Sequence, residues 1–156
     1  HETIAPAAID QDVIEEAERI ARVIAEAVSL SGALGVEMFL TKTGGLYVNE
    51  LAPRPHNSGH YSIEACSMSQ FDAHIRGICG WPLGEKVRLT SNAVMVNVLG
   101  EQLLESYRLI ENKPDWQFHF YGKKQAKKGR KMGHITILTE DIQQTLEEIK
   151  QTNIWD

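Results

Sequence analysis

Two carboxylates flank a tight turn in this chain. Glu37 lies in Gly35-Val-Glu-Met-Phe-Leu40, and Glu50 lies in Leu46-Tyr-Val-Asn-Glu-Leu51. Both runs are β-prone, and Thr41-Lys-Thr-Gly-Gly45 between them carries the glycines of a hairpin turn. A turn centred between Thr43 and Gly44 sets Glu37 opposite Glu50 and Phe39 opposite Val48. Opposed residues share one face of a hairpin, and like charges there cost about a few tenths to 1 kcal/mol. Phe39 and Val48 on the same face predict partial burial, which raises that cost. A cation between the carboxylates would turn repulsion into ligation. Oxygen donors with no His or Cys beside them suit Mg²⁺. A register displaced by one residue would instead leave one carboxylate in solvent.

The second strand leads into Ala52-Pro-Arg-Pro-His-Asn-Ser-Gly-His60. Pro53 and Pro55 stiffen this loop, and Gly59 lets it turn. Arg54 offers a planar fork for a carboxylate, bicarbonate or phosphate. His56 can move a proton near neutral pH. Asn57 and Ser58 add hydrogen bonds. A polar surface loop, or an Arg54 paired with a nearby Glu, would serve no chemistry. His56 and His60 have a helical metal spacing, but the prolines and Gly59 argue against a helix there, so that site is discounted.

A third group is Gly122-Lys-Lys-Gln-Ala-Lys-Lys-Gly-Arg-Lys-Met-Gly133, with six of the sixteen Lys and Arg residues of the chain. Such a loop can hold a phosphate, helped by the amides of Gly129 and Gly133. Taken singly, most of these lysines read as solvated. Nucleic acid is not expected as a partner: the net charge is −5 and the loop has no interleaved aromatics.

Regular elements must carry these groups. Residues 10–30 have a helical period, with Val13, Ile14, Ala17, Ile20, Ala21, Ile24 and Val28 on one face, Asp10 as N-cap and Gly32 as the stop. Residues 61–79 read as one helix covering the loop, with Ile63, Cys66, Phe71, Ile75 and Ile78 inward, His74 at the surface or packed, and Gly80 as the end. Residues 92–100, 116–121 and 134–139 read as strands. In the second of these, Trp116, Phe118 and Phe120 form the inner face. Residues 140–150 close the chain as a helix with Ile142, Leu146 and Ile149 inward. The expected organisation is α+β, dividing near residue 90 into 1–90 and a small β-rich domain, 91–156.

The 156 residues are 42% hydrophobic and 24% charged, which excludes a disordered or fibrous chain. No apolar run reaches the ~18 residues of a membrane span. Two cysteines without a CxxC pair point to reduced thiols in the cytoplasm. The chain opens on His1 with no signal-peptide pattern, and residues 1–6 read as an extended segment inside a fold. It is therefore expected to be the later part of a longer protein.

The runs Gly35-Val-Glu-Met-Phe39 and Val48-Asn-Glu-Leu-Ala-Pro-Arg-Pro-His-Asn-Ser-Gly-His60, with Gly129-Arg-Lys-Met-Gly-His134, resemble the later half of 5-(carboxyamino)imidazole ribonucleotide synthase. That family is an ATP-grasp ligase of purine biosynthesis. The resemblance covers nearly the whole chain. It implies the C-terminal half of an ATP-grasp fold followed by the family's small C-terminal domain. It implies Glu37 and Glu50 as Mg²⁺ ligands, with Asn49 and Glu50 at the ATP phosphates. Arg54, His56 and Asn57 would bind and activate bicarbonate, and Lys123 and Arg130 would grip the 5′-phosphate of 5-aminoimidazole ribonucleotide. ATP would phosphorylate bicarbonate to carboxyphosphate, whose carboxyl group passes to the substrate amine.

The resemblance further implies a homodimer. The family's N-terminal domain, its phosphate-covering loop and much of its adenine pocket lie outside this sequence, so the chain alone is expected to be inactive and to expose an apolar face. Two other readings stand beside this one: another ATP-grasp ligase, such as the formate-dependent glycinamide ribonucleotide transformylase with its own Pro-Arg-Pro-His loop, and a non-catalytic anion-binding module.

Overall fold

The structure is a computed structural model that describes residues 2–155. The chain forms two compact units, one of residues 7–63 and 68–87, the other of 2–6, 64–67 and 88–155. A single boundary at residue 90 therefore omits two segments that lie with the later part. His1, in the segment expected to be extended, lies outside the described residues.

In the first unit, helix α1 (Gln11–Ala27) precedes a hairpin of β2 (Gly35–Leu40) and β3 (Leu46–Ala52). Asp10 holds the N-cap position through its carbonyl, which accepts from the Val13 and Ile14 amides, and not through its side chain. The helix stops earlier than Gly32. Ser29 takes φ +48°, its amide donates to the Glu26 carbonyl, and the Leu30 amide reaches back to Ala25. Those two bonds form a Schellman motif with serine in the left-handed position. The apolar stripe of α1 faces Val36, Met38 and Leu40 across a groove that also contains Val13, Ala17 and Ala21. Glu37 and Phe39 consequently point to the opposite face of the hairpin.

The helix expected over 61–79 is two helices. Helix α2 (Ser62–Ala65) ends where Cys66 bridges to Leu89, and α3 (Gln70–Ile78) starts afresh. Ser69 restarts it: its hydroxyl oxygen accepts from the Asp72 amide. Gly80, φ +65°, ends α3 as expected. Ile63, Phe71, Ile75 and Ile78 are not core residues here, being 39–52% exposed. His74 is packed, its Nδ1 accepting from the Ala33 amide at 3.1 Å.

The second unit is a four-stranded antiparallel sheet in the order β1 (Glu2–Ala5), β4 (Asn92–Leu99), β6 (Lys131–Thr139), β5 (Gln117–Phe120). Val94, Val96, Val98, Ile135 and Ile137 fill one face together with Trp116 and Ile149. Against them pack α4 (Leu103–Leu109), which the sequence reading missed, and α5 (Ile142–Gln151). Asp141 caps α5, accepting from the Gln144 amide. The opposite face carries His119 and His134, directly opposed across β5 and β6. No helix among the described residues is long and apolar enough to cross a membrane.

Candidate functional site

Glu37 faces Glu50 directly. The route to that pairing differs from the one expected, because Met38 faces Val48 and Phe39 faces Tyr47. The turn holds three residues, Lys42, Thr43 and Gly44, closed by Thr41 and Gly45. Gly44 takes φ +85°, the left-handed residue that ends a three-residue hairpin loop. That shifts the pairing by one residue. A bulge between Glu37 and Met38 leaves Asn49 without an opposed partner and shifts it back. Phe39 and Tyr47, 61% and 64% exposed, leave this face open. Burial is correspondingly uneven: Glu37 is half-buried and Glu50 is exposed.

Around Glu37 three elements meet. The Asn49 amide group donates to Oε2 at 3.4 Å. His56 Nε2 lies 3.5 Å from Oε1, with the imidazole 15% exposed. His56 Nδ1 and Ser58 Oγ are 2.8 Å apart. Gly35 makes room for this ring, since a Cβ there would stand 2.8 Å from His56 Cβ. Gln70, at the start of α3, clamps the loop. Its Oε1 accepts from the His56 amide and its Nε2 donates to the His56 carbonyl, each at 2.8 Å, and Nε2 also lies 2.7 Å from His60 Nδ1. Nothing in the sequence reading pointed to Gln70, because the groups it clamps at His56 are backbone atoms fourteen residues away. Asn57 opens a single 3₁₀ turn, Asn57–Gly59. Arg54 is exposed, and its guanidinium donates to the Pro55 carbonyl at 3.0 Å. Among the described residues no carboxylate pairs with it, so the expectation of a mere Arg–Glu pair is not met.

The pair Glu37 and Glu50 fits a hard divalent cation. The Glu50 carboxylate makes no hydrogen bond or ion pair among the described residues, so it stands solvated beside a second one. Among the described residues no group of three or more His, Cys, Asp or Glu side chains is placed to hold a metal ion. A cation held here would complete its shell with oxygens from outside the protein, as Mg²⁺ does with phosphates and water.

In the second unit the basic loop lies between β5 and β6. The Gly129 amide, expected to be available to a phosphate, donates instead to Glu101 Oε2 at 2.8 Å. Glu101's own amide and that of Gly129 hold the Glu101 carboxyl below its ordinary value. Gly133 lies within β6, opposed to Val98 on one side and Phe120 on the other, so its amide belongs to the sheet. Neither of the two glycine amides expected to serve an anion is therefore available to one. Lys123 Nζ donates to the Lys131 carbonyl at 2.6 Å, and Arg130 to the Gln125 carbonyl at 3.3 Å. Beneath Lys123, the Tyr121 hydroxyl lies 2.9 Å from His134 Nδ1, and burial pushes this phenol up to about 12. His134 stacks on His119, whose Nε2 is 2.6 Å from Glu64 Oε1. Cys66 and Cys79 are free thiols, and burial raises the pKa of Cys66.

Comparison with known proteins gives this geometry a setting. The ATP-grasp domain profile matches residues 1–71, and that of the phosphoribosylaminoimidazole carboxylase C-terminal domain matches residues 93–148. The N5-carboxyaminoimidazole ribonucleotide synthase of Staphylococcus epidermidis is 49% identical over 147 residues, 92% of this chain and 38% of that protein. The Bacillus subtilis protein of the same name is 45% identical over 158 residues, 99% of this chain and 40% of its own length. Among solved structures, an N5-carboxyaminoimidazole ribonucleotide synthetase in complex with ADP superposes with a TM-score of 0.95 at 49% identity, over 100% of this chain and 41% of that one. The Aspergillus clavatus enzyme, solved with ADP and 5-aminoimidazole ribonucleotide, gives 0.88 at 36% identity, over 97% and 42%. The chain spans about two-fifths of the length of the relatives it matches.

Proposed function

We propose, since the chain belongs with the N5-carboxyaminoimidazole ribonucleotide synthases as the counterpart of their C-terminal part, that it carries the metal, bicarbonate and substrate-phosphate groups of an ATP-dependent carbon–nitrogen ligase. The overall reaction converts ATP, bicarbonate and 5-aminoimidazole ribonucleotide into the N-carboxylated ribonucleotide, ADP and phosphate, a step of purine biosynthesis in the cytoplasm. The observation that carries this reading is the opposed carboxylate pair meeting the His56 loop at Glu37.

The unit of residues 7–63 and 68–87 holds the first half of the chemistry. Glu37 and Glu50 would hold Mg²⁺, with Asn49 beside them at the nucleotide phosphates. When bound, the ion neutralises charge on the transferring phosphoryl group. Arg54, whose fork no carboxylate among the described residues occupies, binds bicarbonate as the bicarbonate oxygen attacks the γ-phosphorus and ADP leaves. His56, held by Gln70, presents Nε2 toward the Glu37 carboxylate as the proton-handling atom, and Asn57 orients the bicarbonate from the adjoining turn. The resulting carboxyphosphate gives up phosphate, and the substrate amine takes the carboxyl carbon with loss of a proton. In the other unit, Lys123 and Arg130 grip the ribonucleotide's 5′-phosphate as charged side-chain donors.

The remaining three-fifths of such an enzyme supplies the rest of the ATP site, so the chain alone has no turnover. A homodimer belongs to the same reading. The test joins this chain to the leading part of the Bacillus subtilis relative and follows ADP formation. Stimulation by bicarbonate together with 5-aminoimidazole ribonucleotide is expected. Stimulation by formate in place of bicarbonate would assign the chain to a transformylase. Anion binding with a steep salt slope and no ATP dependence would make it a binding module.

A further inference from the structure

We propose that Tyr121 is a positioning residue for Lys123: its ring face, with the Lys131 carbonyl, holds the ammonium ready for a phosphate oxygen. The proposal rests on the reading of Lys123 as a phosphate ligand.

An exposed lysine ordinarily samples many rotamers, and fixing one costs side-chain entropy. Lys123 is exposed but doubly restrained. Its Nζ lies 5.2 Å from the centroid of the Tyr121 ring and donates to the Lys131 carbonyl at 2.6 Å. An ammonium has three donors, so two remain for an anion. No carboxylate neutralises it among the described residues. Among those residues, none of the other five cations of this loop rests on an aromatic ring.

Tyr121 is itself fixed from below. Its amide donates to the Met132 carbonyl at 2.8 Å, and its hydroxyl meets His134 Nδ1 at 2.9 Å. His134 is 2% exposed. Its ring stacks on that of His119 with centroids 4.4 Å apart and planes 13° from parallel. His119 is bound in turn to Glu64 at 2.6 Å. A rigid aromatic stack thus ends in a ring on which a cation sits, and attraction to the ring face holds the cation in place. Of the two side chains assigned to the phosphate, Lys123 is thus the one pre-set by an aromatic ring supported on the sheet.

The test uses the 156-residue chain, with ribose 5-phosphate as probe and ribose as control, followed by NMR. In the unvaried chain the Lys123 ε-methylene protons should be shifted upfield by the ring current of Tyr121. Random-coil shifts would overturn the proposal whether or not any variant folds. Tyr121→Phe keeps the ring and should bind ribose 5-phosphate within about 2-fold of the unvaried chain. Tyr121→Leu should lose the upfield shift and weaken binding by about 2- to 5-fold, the range of an exposed cation–π contact. Equal weakening by Phe and Leu would assign the role to the hydroxyl and overturn the proposal. Lys123→Met should weaken binding the most. If it does and Tyr121→Leu binds normally, only the role of Tyr121 falls. If Lys123→Met binds normally, the phosphate reading itself falls, and the role of Tyr121 with it.

Discussion

His56 Nε2 stands 3.5 Å from Glu37 Oε1, while its Nδ1 is taken by Ser58. A residue of the proline-stiffened loop and a residue of the hairpin thereby face each other, although nineteen positions separate them in sequence. Gly35 supplies the space and Gln70 the restraint.

The opposed carboxylates predict an asymmetric pair of effects. Glu50→Gln removes like-charge repulsion from an exposed, unpaired group, so stability should hold or rise by about a few tenths of a kcal/mol. The thermal stabilisation conferred by Mg²⁺ with ADP should disappear. Glu37→Gln should lose the same stabilisation and also release His56. Melting curves with and without Mg²⁺·ADP check both, and a Glu50→Gln chain that still gains stability from Mg²⁺·ADP would refute the metal assignment.

Arg54→Ala should leave the fold intact, changing stability by no more than about 0.5 kcal/mol, because among the described residues its guanidinium bonds only a neighbouring carbonyl. In the assay with the remainder of the enzyme present, bicarbonate-dependent ADP formation should fall by at least about 100-fold, the scale of losing one transition-state donor. Nucleotide affinity should change far less. Equal loss of both would mean that Arg54 serves the nucleotide.

Gln70→Ala removes both side-chain partners of the His56 backbone. Its cost should be about 1–3 kcal/mol, the penalty for leaving such groups unsatisfied. Hydrogen exchange at the His56 amide should accelerate more than exchange within β2 and β3. Unchanged protection at His56 would show that the loop is held by its prolines alone.

Tyr121 predicts a pH dependence of definite sign. Its folded-state pKa of about 12 lies above the ordinary value of 10. Between these values the unfolded chain gives up a proton that the folded chain keeps. The contribution is therefore fully present below pH 10 and declines as pH rises toward 12. Denaturant titrations across that range should show stability falling, with a smaller fall in Tyr121→Phe. Identical slopes in the two chains would place the titration elsewhere.

Much of this protein was legible in its residues because short-range chemistry decides it. The β-prone runs flanking a Gly-Gly turn fixed the hairpin, and the three- and four-residue period marked α1. Alternation of Trp116, Phe118 and Phe120 marked the inner face before β5 and along it. The motif from Asn49 to His60 pointed to the family through residue identity. Tertiary structure decided the rest. A three-residue turn and the bulge at Asn49 make opposite shifts, and only their sum brings Glu37 across from Glu50. Spacing cannot register two displacements that cancel. The pairing of β1 with β4, the break of the 61–79 helix at its bridge to Leu89, and the grip of Gln70 on His56 all join segments far apart in the chain. So does the capture of the Gly129 amide by Glu101, twenty-eight residues away. Such contacts depend on which groups long-range packing leaves within hydrogen-bonding reach, and no local pattern in the chain encodes that distance.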